Sequence, residues 1–220
     1  MTRTIKVTGK GKISVKPDMI RLTITQTALE PEYEKAIKES ADKKEYLNNK
    51  LQELGFAKKD LKTLNYNVDT EYESYQDDDN SWKRRFTGYR YNHSMKLEFP
   101  SDNERLGKVL LILSSCPGEP EFSIHYTISD PESAKNELLA KAVEDSKNKA
   151  EVLSKAAGVS LKEIITIDYS WGEIDFVTRP VDDLALRCME AQPAVKCMSL
   201  DIEPDDIDVT DTVTVVWSIE

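Results

Sequence analysis

Residues 61–99 read LKTLNYNVDTEYESYQDDDNSWKRRFTGYRYNHSMKLEF, and the reading of this stretch decides the fold. Leu64, Tyr66, Val68 and Tyr72 occupy even positions, with polar residues between them. Tyr89, Tyr91, His93, Met95, Leu97 and Phe99 occupy odd positions. Successive side chains of a strand point to opposite sides, so alternation of this length predicts two long strands, each with one buried face. The polar run Gln76-Asp77-Asp78-Asp79-Asn80-Ser81 supplies the turn between them. The phase changes between Phe86 and Tyr89, which predicts a bulge at Gly88. Leu61 to Tyr75 is 15 residues, about 50 Å when extended at roughly 3.3 Å per residue. A compact domain of this length is only about 45 Å across. The hairpin therefore curls strongly or projects. Tyr72, Tyr75, Trp82 and Phe86 near its tip are the candidate contact residues for a second copy or another protein, since aromatics concentrate in the cores of subunit contacts.

Working outward, Ile5, Val7, Ile13 and Val15 alternate, Pro17-Asp18 turns, and Ile20, Leu22 and Ile24 alternate again, which predicts a first hairpin. Gly9 and Gly11 inside that strand predict a bulge or a close approach of another backbone. They do not make a phosphate loop, because a third glycine and an immediate helix are missing. A helix is expected over about Pro31–Leu54, closed by Gly55, with Tyr33, Ile37, Leu47, Leu51 and Leu54 as its apolar stripe. Ser40 and Lys44 interrupt that stripe, so the helix is expected to lie on a sheet and not in a coiled coil. Ser101 and Glu104 have capping-box spacing for a second helix, with Leu106, Val109, Leu110 and Leu113 facing inward. Phe122, Ile124, Tyr126 and Ile128 predict another strand. Asp130-Pro131 opens a helix running to about Ala157, with Ala134, Leu138, Ala142, Ala150, Leu153 and Ala157 as a narrow, small-residue face. Ile164, Ile165 and Ile167 mark a strand, and Ile207, Val209, Val213, Val215, Trp217 and Ile219 a last one. Between these two strands, Gly172 to Pro204 loses all periodicity and carries three prolines. A segment so long without structure of its own is expected to be functional or mobile. The order ββαββαβαβ–insertion–β predicts an α+β fold of antiparallel hairpins with helices packed on them. The expectation is one domain over 1–220 with a variable insertion at about 172–204.

Of the 220 residues 39% are hydrophobic and 32% charged, which is a globular composition. The longest apolar run, Val109 to Leu113, is far short of a membrane helix. The N-terminal residues alternate like a strand and lack a signal-peptide core, so a cytoplasmic location is expected. Three cysteines, Cys116, Cys188 and Cys197, make no disulfide framework. Net charge is −10, which argues against nucleic-acid binding. The charge is uneven. Arg3, Lys6, Lys10, Lys12 and Lys16 precede any acid, while Asp201, Glu203, Asp205, Asp206, Asp208 and Asp211 crowd the other end. The two ends are expected to lie together and compensate.

No catalytic constellation emerges, and the chain is expected not to be an enzyme. His93 lies on the apolar face of its strand beside Tyr91 and Met95, where a hydrogen-bonded core or interface histidine is the expected role. His125 has the opposite parity to Ile124 and Tyr126 and is expected to face solvent. Cys188 and Cys197 lack the partners of a zinc site. Asp77-Asp78-Asp79-Asn80 lacks the spacing, the glycine and the distal Glu of a calcium loop. No metal or cofactor is expected.

Several pieces together carry a family resemblance. They are Val7-Thr8-Gly9-Lys10-Gly11, Val15-Lys16-Pro17-Asp18, the run from Leu51 to Thr63, Gly88-Tyr89-Arg90, the Ile124 to Asp130 strand with the alanine-rich helix behind it, and Ile202-Glu203-Pro204 before the final strand. In this order the chain resembles the SIMPL-domain family, whose bacterial members include periplasmic immunogenic proteins. The resemblance implies an α+β fold and a ring-like or channel-like homo-oligomer. It implies no reaction and no catalytic residues, since the family has no agreed activity, and it links the chain to stress tolerance and the cell envelope. The lack of an export signal departs from many bacterial members. Three classes of function follow: a self-assembling scaffold or binding protein, which is favoured, a signalling adaptor with a protein partner, or an enzyme with its site at a subunit interface.

Overall fold

The computed structural model describes residues 3–169, 174–178 and 202–220. Its elements run β1 (Arg3–Val15), β2 (Met19–Glu30), α1 (Tyr33–Glu53), β3 (Leu61–Gln76), β4 (Trp82–Pro100), α2 (Asn103–Ser114), β5 (Glu121–Thr127), α3 (Pro131–Ala156), β6 (Leu161–Tyr169) and β7 (Ile207–Ile219). This is the expected α+β order. The strands form two sheets, one ordered β1-β7-β6 and one ordered β3-β4-β2-β5. The chain divides into two compact units. One holds residues 3–18, 127–169, 174–178 and 204–220, and the other holds 19–126 with 202–203. Most of the 172–204 insertion lies outside the described residues, and with it the stretch Asp182 to Glu190, for which the sequence predicts a short helix.

In the first unit α3 lies on the β1-β7-β6 sheet. Asp130 caps the helix by accepting from the Ser133 N–H at 3.0 Å, and Pro131 follows at its first position. Its buried face is Ala134, Leu138, Ala142, Ser146, Ala150 and Ser154, one residue every four. Leu153, expected on that face, is half exposed, because the small residues of the four-residue repeat take the contact. The face is small because the strand comes so close. A Cβ on Gly9 would collide with the Ala142 carbonyl, and one on Gly11 with that of Leu138. The β1–β7 register runs unbroken from Arg3↔Ile219 to Val15↔Ile207, so the glycines mark a close approach and not a bulge. Lys12 pairs with Asp208 at 3.3 Å, and the Ser14 hydroxyl and Lys12 together hold the Asp208 carboxyl below its usual range. The basic first strand and the acidic last strand are thus neighbours.

The first hairpin does not form. β1 pairs with β7 and β2 pairs with β4. Alternation around Pro17-Asp18 specified two strands but not their partners. Asp18 instead ties the corner to the start of α3, its carboxylate accepting from the Ser129 N–H (2.7 Å) and hydroxyl (2.5 Å).

In the second unit the core is Ile20, Leu22 and Ile24 of β2, Met95, Leu97 and Phe99 of β4, Leu47 and Leu51 of α1, and Leu106, Val109 and Leu113 of α2. α2 is capped by Asp102, which accepts from the Glu104 and Arg105 N–H groups, and not by Ser101 as expected. An Asp carboxylate at this position reaches two free donors at once and favours the positive end of the helix. The buried face of α1 is Ala36, Ser40, Leu47 and Leu51. Tyr33 and Ile37, expected in its stripe, are 50% and 40% exposed.

Candidate functional site

β3 and β4 pair antiparallel along nearly their whole length, with register shifts at Thr63/Asn65 and Glu71/Tyr72. The second shift sits opposite Gly88, where the change of phase placed it. Gly88 has φ +152°, and a Cβ there would lie 2.5 Å from the Glu30 carbonyl oxygen. Glycine is needed because both the conformation and the space exclude a side chain. The extra residue shifts the parity so that Phe86 and Tyr89 share a face, with ring centroids 5.2 Å apart. On this face the pairs His93↔Tyr66, Tyr91↔Val68, Tyr89↔Thr70, Phe86↔Tyr72 and Arg84↔Ser74 follow one another toward the tip, ending at Trp82↔Gln76.

The two halves of this ladder have different cover. From Tyr91 to Phe99 every odd residue of β4 is buried. Beyond the bulge, all residues from Tyr72 to Gln76 and from Ser81 to Phe86 are exposed. β3 is the edge strand, and its alternating residues are not buried as expected: Leu64 and Tyr66 are 53% and 41% exposed. The candidate contact residues Tyr72, Tyr75, Trp82 and Phe86 are all exposed, Trp82 most of all at 73%. Tyr72, Phe86 and Trp82 share one face, with Tyr72 and Phe86 packed edge to face at 5.6 Å. Tyr75 lies on the other face, where the Arg85 guanidinium covers it at 5.7 Å. Arg84 sits over Tyr72 at 5.0 Å. Arg85–Glu73, Lys83–Asp77 and Arg90–Glu71 pair across the hairpin. Among the described residues the outer half is therefore a ladder of rings and ion pairs with neither face covered.

Beneath α1 the inner half holds a polar cluster. His93, 5% exposed, has Nδ1 3.2 Å from the Ser40 hydroxyl and Nε2 2.9 Å from the Thr63 hydroxyl. Lys44 Nζ donates to Thr63 at 3.0 Å, and Tyr66 stands edge-on to the imidazole at 5.0 Å. Burial, and then the charge of Lys44, push the His93 pKa below its usual value, so the ring is neutral at pH 7. Gln26 lies opposite His93 on β2, buried and with its amide unpaired. A turn away, Lys43 pairs with Glu39 at 2.6 Å beside Tyr91. Burial opposes the charge on Lys43, and the Glu39 carboxylate and the Tyr91 hydroxyl together outweigh it, so its pKa is raised. Glu30 has a raised pKa, chiefly through a hydrogen bond with Glu39. The expectation for His93, a hydrogen-bonded core histidine, agrees with this geometry. Nothing in the sequence marks Ser40 as its partner, since a serine there reads as an interruption of the apolar stripe. Ser40 is 1% exposed, so its hydroxyl cannot reach a substrate.

His125 is half buried, with Nε2 3.3 Å from the Ser123 hydroxyl. Cys116 is a buried free thiol whose pKa burial raises, away from reactive thiolate character. Among the described residues no three His, Cys, Asp or Glu side chains gather to hold a metal. No helix there is long and apolar enough to cross a membrane.

An antiparallel α+β chain with a long aromatic hairpin defines the class, and comparison with known proteins gives the family. The SIMPL model, described as "Protein of unknown function (DUF541)", matches residues 5–217, and the chain belongs to that family. It is similar to the 26 kDa periplasmic immunogenic protein of Brucella melitensis, 26% identical over 164 residues, 74% of this chain. The match covers 65% of that relative's length.

Proposed function

We propose that the chain is a non-catalytic, self-assembling scaffold or binding protein, and that the outer half of the β3–β4 hairpin is the arm by which one copy grips another. The carrying observation is a strand pair whose aromatic residues have no cover among the described residues: Trp82, Tyr72 and Phe86 on one side and Tyr75 on the other, all exposed. Rings held rigid by register and by stacked arginines lose little entropy on contact, which suits an interface core. The ion pairs across the hairpin satisfy its charges locally, while Asp78 and Asp79 at the tip keep bare strand edges from stacking. Self-assembly agrees with the ring-like or channel-like oligomers that the family resemblance implies. A cytoplasmic setting and a part in stress tolerance belong to the same reading. The relative is named as periplasmic, so fractionation of the source cells tests the first. The sealed Ser40–His93 pair gives no support to an enzymatic alternative.

The test replaces Ser74 to Arg84 with an Asn-Gly turn, adds Tyr72→Ser and Phe86→Ser, and measures mass by light scattering. A folded variant lighter than the parent is expected. A folded variant of parental mass removes the arm from the assembly.

A further inference from the structure

The two sheets end in four edges: β1, β6, β3 and β5. A bare edge offers unpaired N–H and C=O groups to any other strand, so each edge needs a guard or a partner. β1 is guarded. Its Lys10 N–H donates to the Asp145 carboxylate at 2.7 Å, and Arg3, Lys6, Lys10 and Lys12 with no acid repel a second copy. β3 carries Asp69, Glu71 and Glu73 along its outer part, with no cation after Lys62. β5 is only seven residues long.

β6 differs. Its middle is Ile164-Ile165-Thr166-Ile167, and the three isoleucines are 42%, 48% and 51% exposed. Ile164 and Ile167 lie opposite Trp217 and Val215, on the face that α3 packs against. They are open because α3 lies over β1 and β7. Ile165 falls between the pairs Ile164↔Trp217 and Thr166↔Val216 and so has no cross-strand neighbour on β7. Among the described residues no strand forms a ladder with the outer side of Leu161–Asp168.

We infer that β6 pairs antiparallel with β6 of a second copy about a two-fold axis through Ile165. Within the nine residues Leu161–Tyr169, the outer two pairs and the central Ile165 match themselves in that register, while Glu163 falls opposite the partner's Ile167. Lys162 falls opposite the partner's Asp168, and the reverse pair repeats it across the axis. Ile165 meets its own copy, and Leu161 meets the partner's Tyr169. Isologous contacts require this self-matching, and opposite charges directly across strands favour it. Lys162 now holds the exposed Glu220 carboxylate at 2.9 Å, and the pairing seats that ammonium between two acids. The inference shares the reading that the chain assembles with itself, but it places a second contact on a different surface from the hairpin arm.

The full chain tests it by light scattering, with circular dichroism as the check on folding. Ile165→Lys sets two ammonium groups face to face on the axis, and Lys162→Asp sets acid against acid. Each is expected to lower the particle mass at least twofold, and the double swap Lys162→Asp with Asp168→Lys is expected to restore it. If Ile165→Lys fails to fold, the two charge variants decide alone. Parental mass in folded Ile165→Lys and Lys162→Asp overturns the contact, as does a single-chain mass for the parent. A mass lost and not restored by the double swap overturns the self-pairing and assigns the edge to a different strand. The arm-shortened chain serves as the parallel arm. If it loses mass while the β6 variants keep it, the hairpin reading stands and this one falls; the opposite pattern does the reverse.

Discussion

The inner and outer halves of β4 carry the same kind of pattern and meet different fates. Tyr91, His93, Met95, Leu97 and Phe99 alternate and are buried, while Trp82, Arg84 and Phe86 continue the same face beyond Gly88 and are bare. The inner half lies under α1 and α2, whose Leu47, Leu51, Leu106, Val109 and Leu113 fill the space above it. Among the described residues nothing covers the outer half. Alternation therefore states which side of a strand wants cover. It does not state whether the same chain supplies that cover.

The largest expected effect breaks the inner half. Met95→Ala empties a fully buried site and should cost about 2–5 kcal/mol. Phe86→Ala at the equivalent outer position empties no enclosed site and loses two edge-to-face ring contacts, worth roughly 0.5–1.5 kcal/mol per pair beyond the area they cover, so a smaller loss is expected. Urea denaturation of both variants measures the contrast. Equal losses would mean that the outer half is covered after all.

Gly88 joins the halves, and Gly88→Ala comes next. A methyl there meets the Glu30 carbonyl in a backbone conformation that other residues avoid, so a loss of about 1–3 kcal/mol is expected. A neutral result in the same denaturation assay would show that the bulge can be rebuilt without glycine.

Ser40→Ala should cost about 1–3 kcal/mol by leaving the buried His93 Nδ1 without its partner. The histidine also carries a pH signature. Its folded pKa is depressed, so the unfolded chain binds the proton more readily. Its contribution is complete above the unfolded value of about 6.5 and is lost as pH falls from there toward the lower folded pKa. Thermal midpoints between about pH 7 and pH 5 should fall in the parent and fall less in His93→Gln. Parallel curves would assign the acid sensitivity to other groups.

The smallest effect sharpens the outer half. Arg85→Gln removes an ion pair with Glu73 on a fully solvated hairpin. Exposed pairs contribute roughly 0.2–1 kcal/mol and are screened by salt. A small loss at low salt that disappears at high salt is expected. A loss that persists in salt would point to the Arg85 contact with Tyr75 as the larger part.

Much of this was legible in the residues. Element order, the Gly88 bulge, the Asp130-Pro131 start of α3 and the closeness required by Gly9 and Gly11 each follow from constraints acting within a few residues or on a single side chain. The residues also put Tyr72, Tyr75, Trp82 and Phe86 near the hairpin tip, although the split of Tyr75 from the other three depends on register across the hairpin. Three features were not legible. The partner of β1 is a strand some two hundred residues away, and the turn at Pro17-Asp18 carries no information about it. Ser40 looked like a flaw in a helical stripe until the fold set it against His93. The three isoleucines of β6 marked a strand, and nothing in them showed that the position of α3 over β1 and β7 would leave them bare. By itself the sequence determined local conformation and the sidedness of each element, because sterics, capping and alternation are local. Only the tertiary structure decided which faces were covered and which edges were left open, because cover depends on where distant elements come to rest.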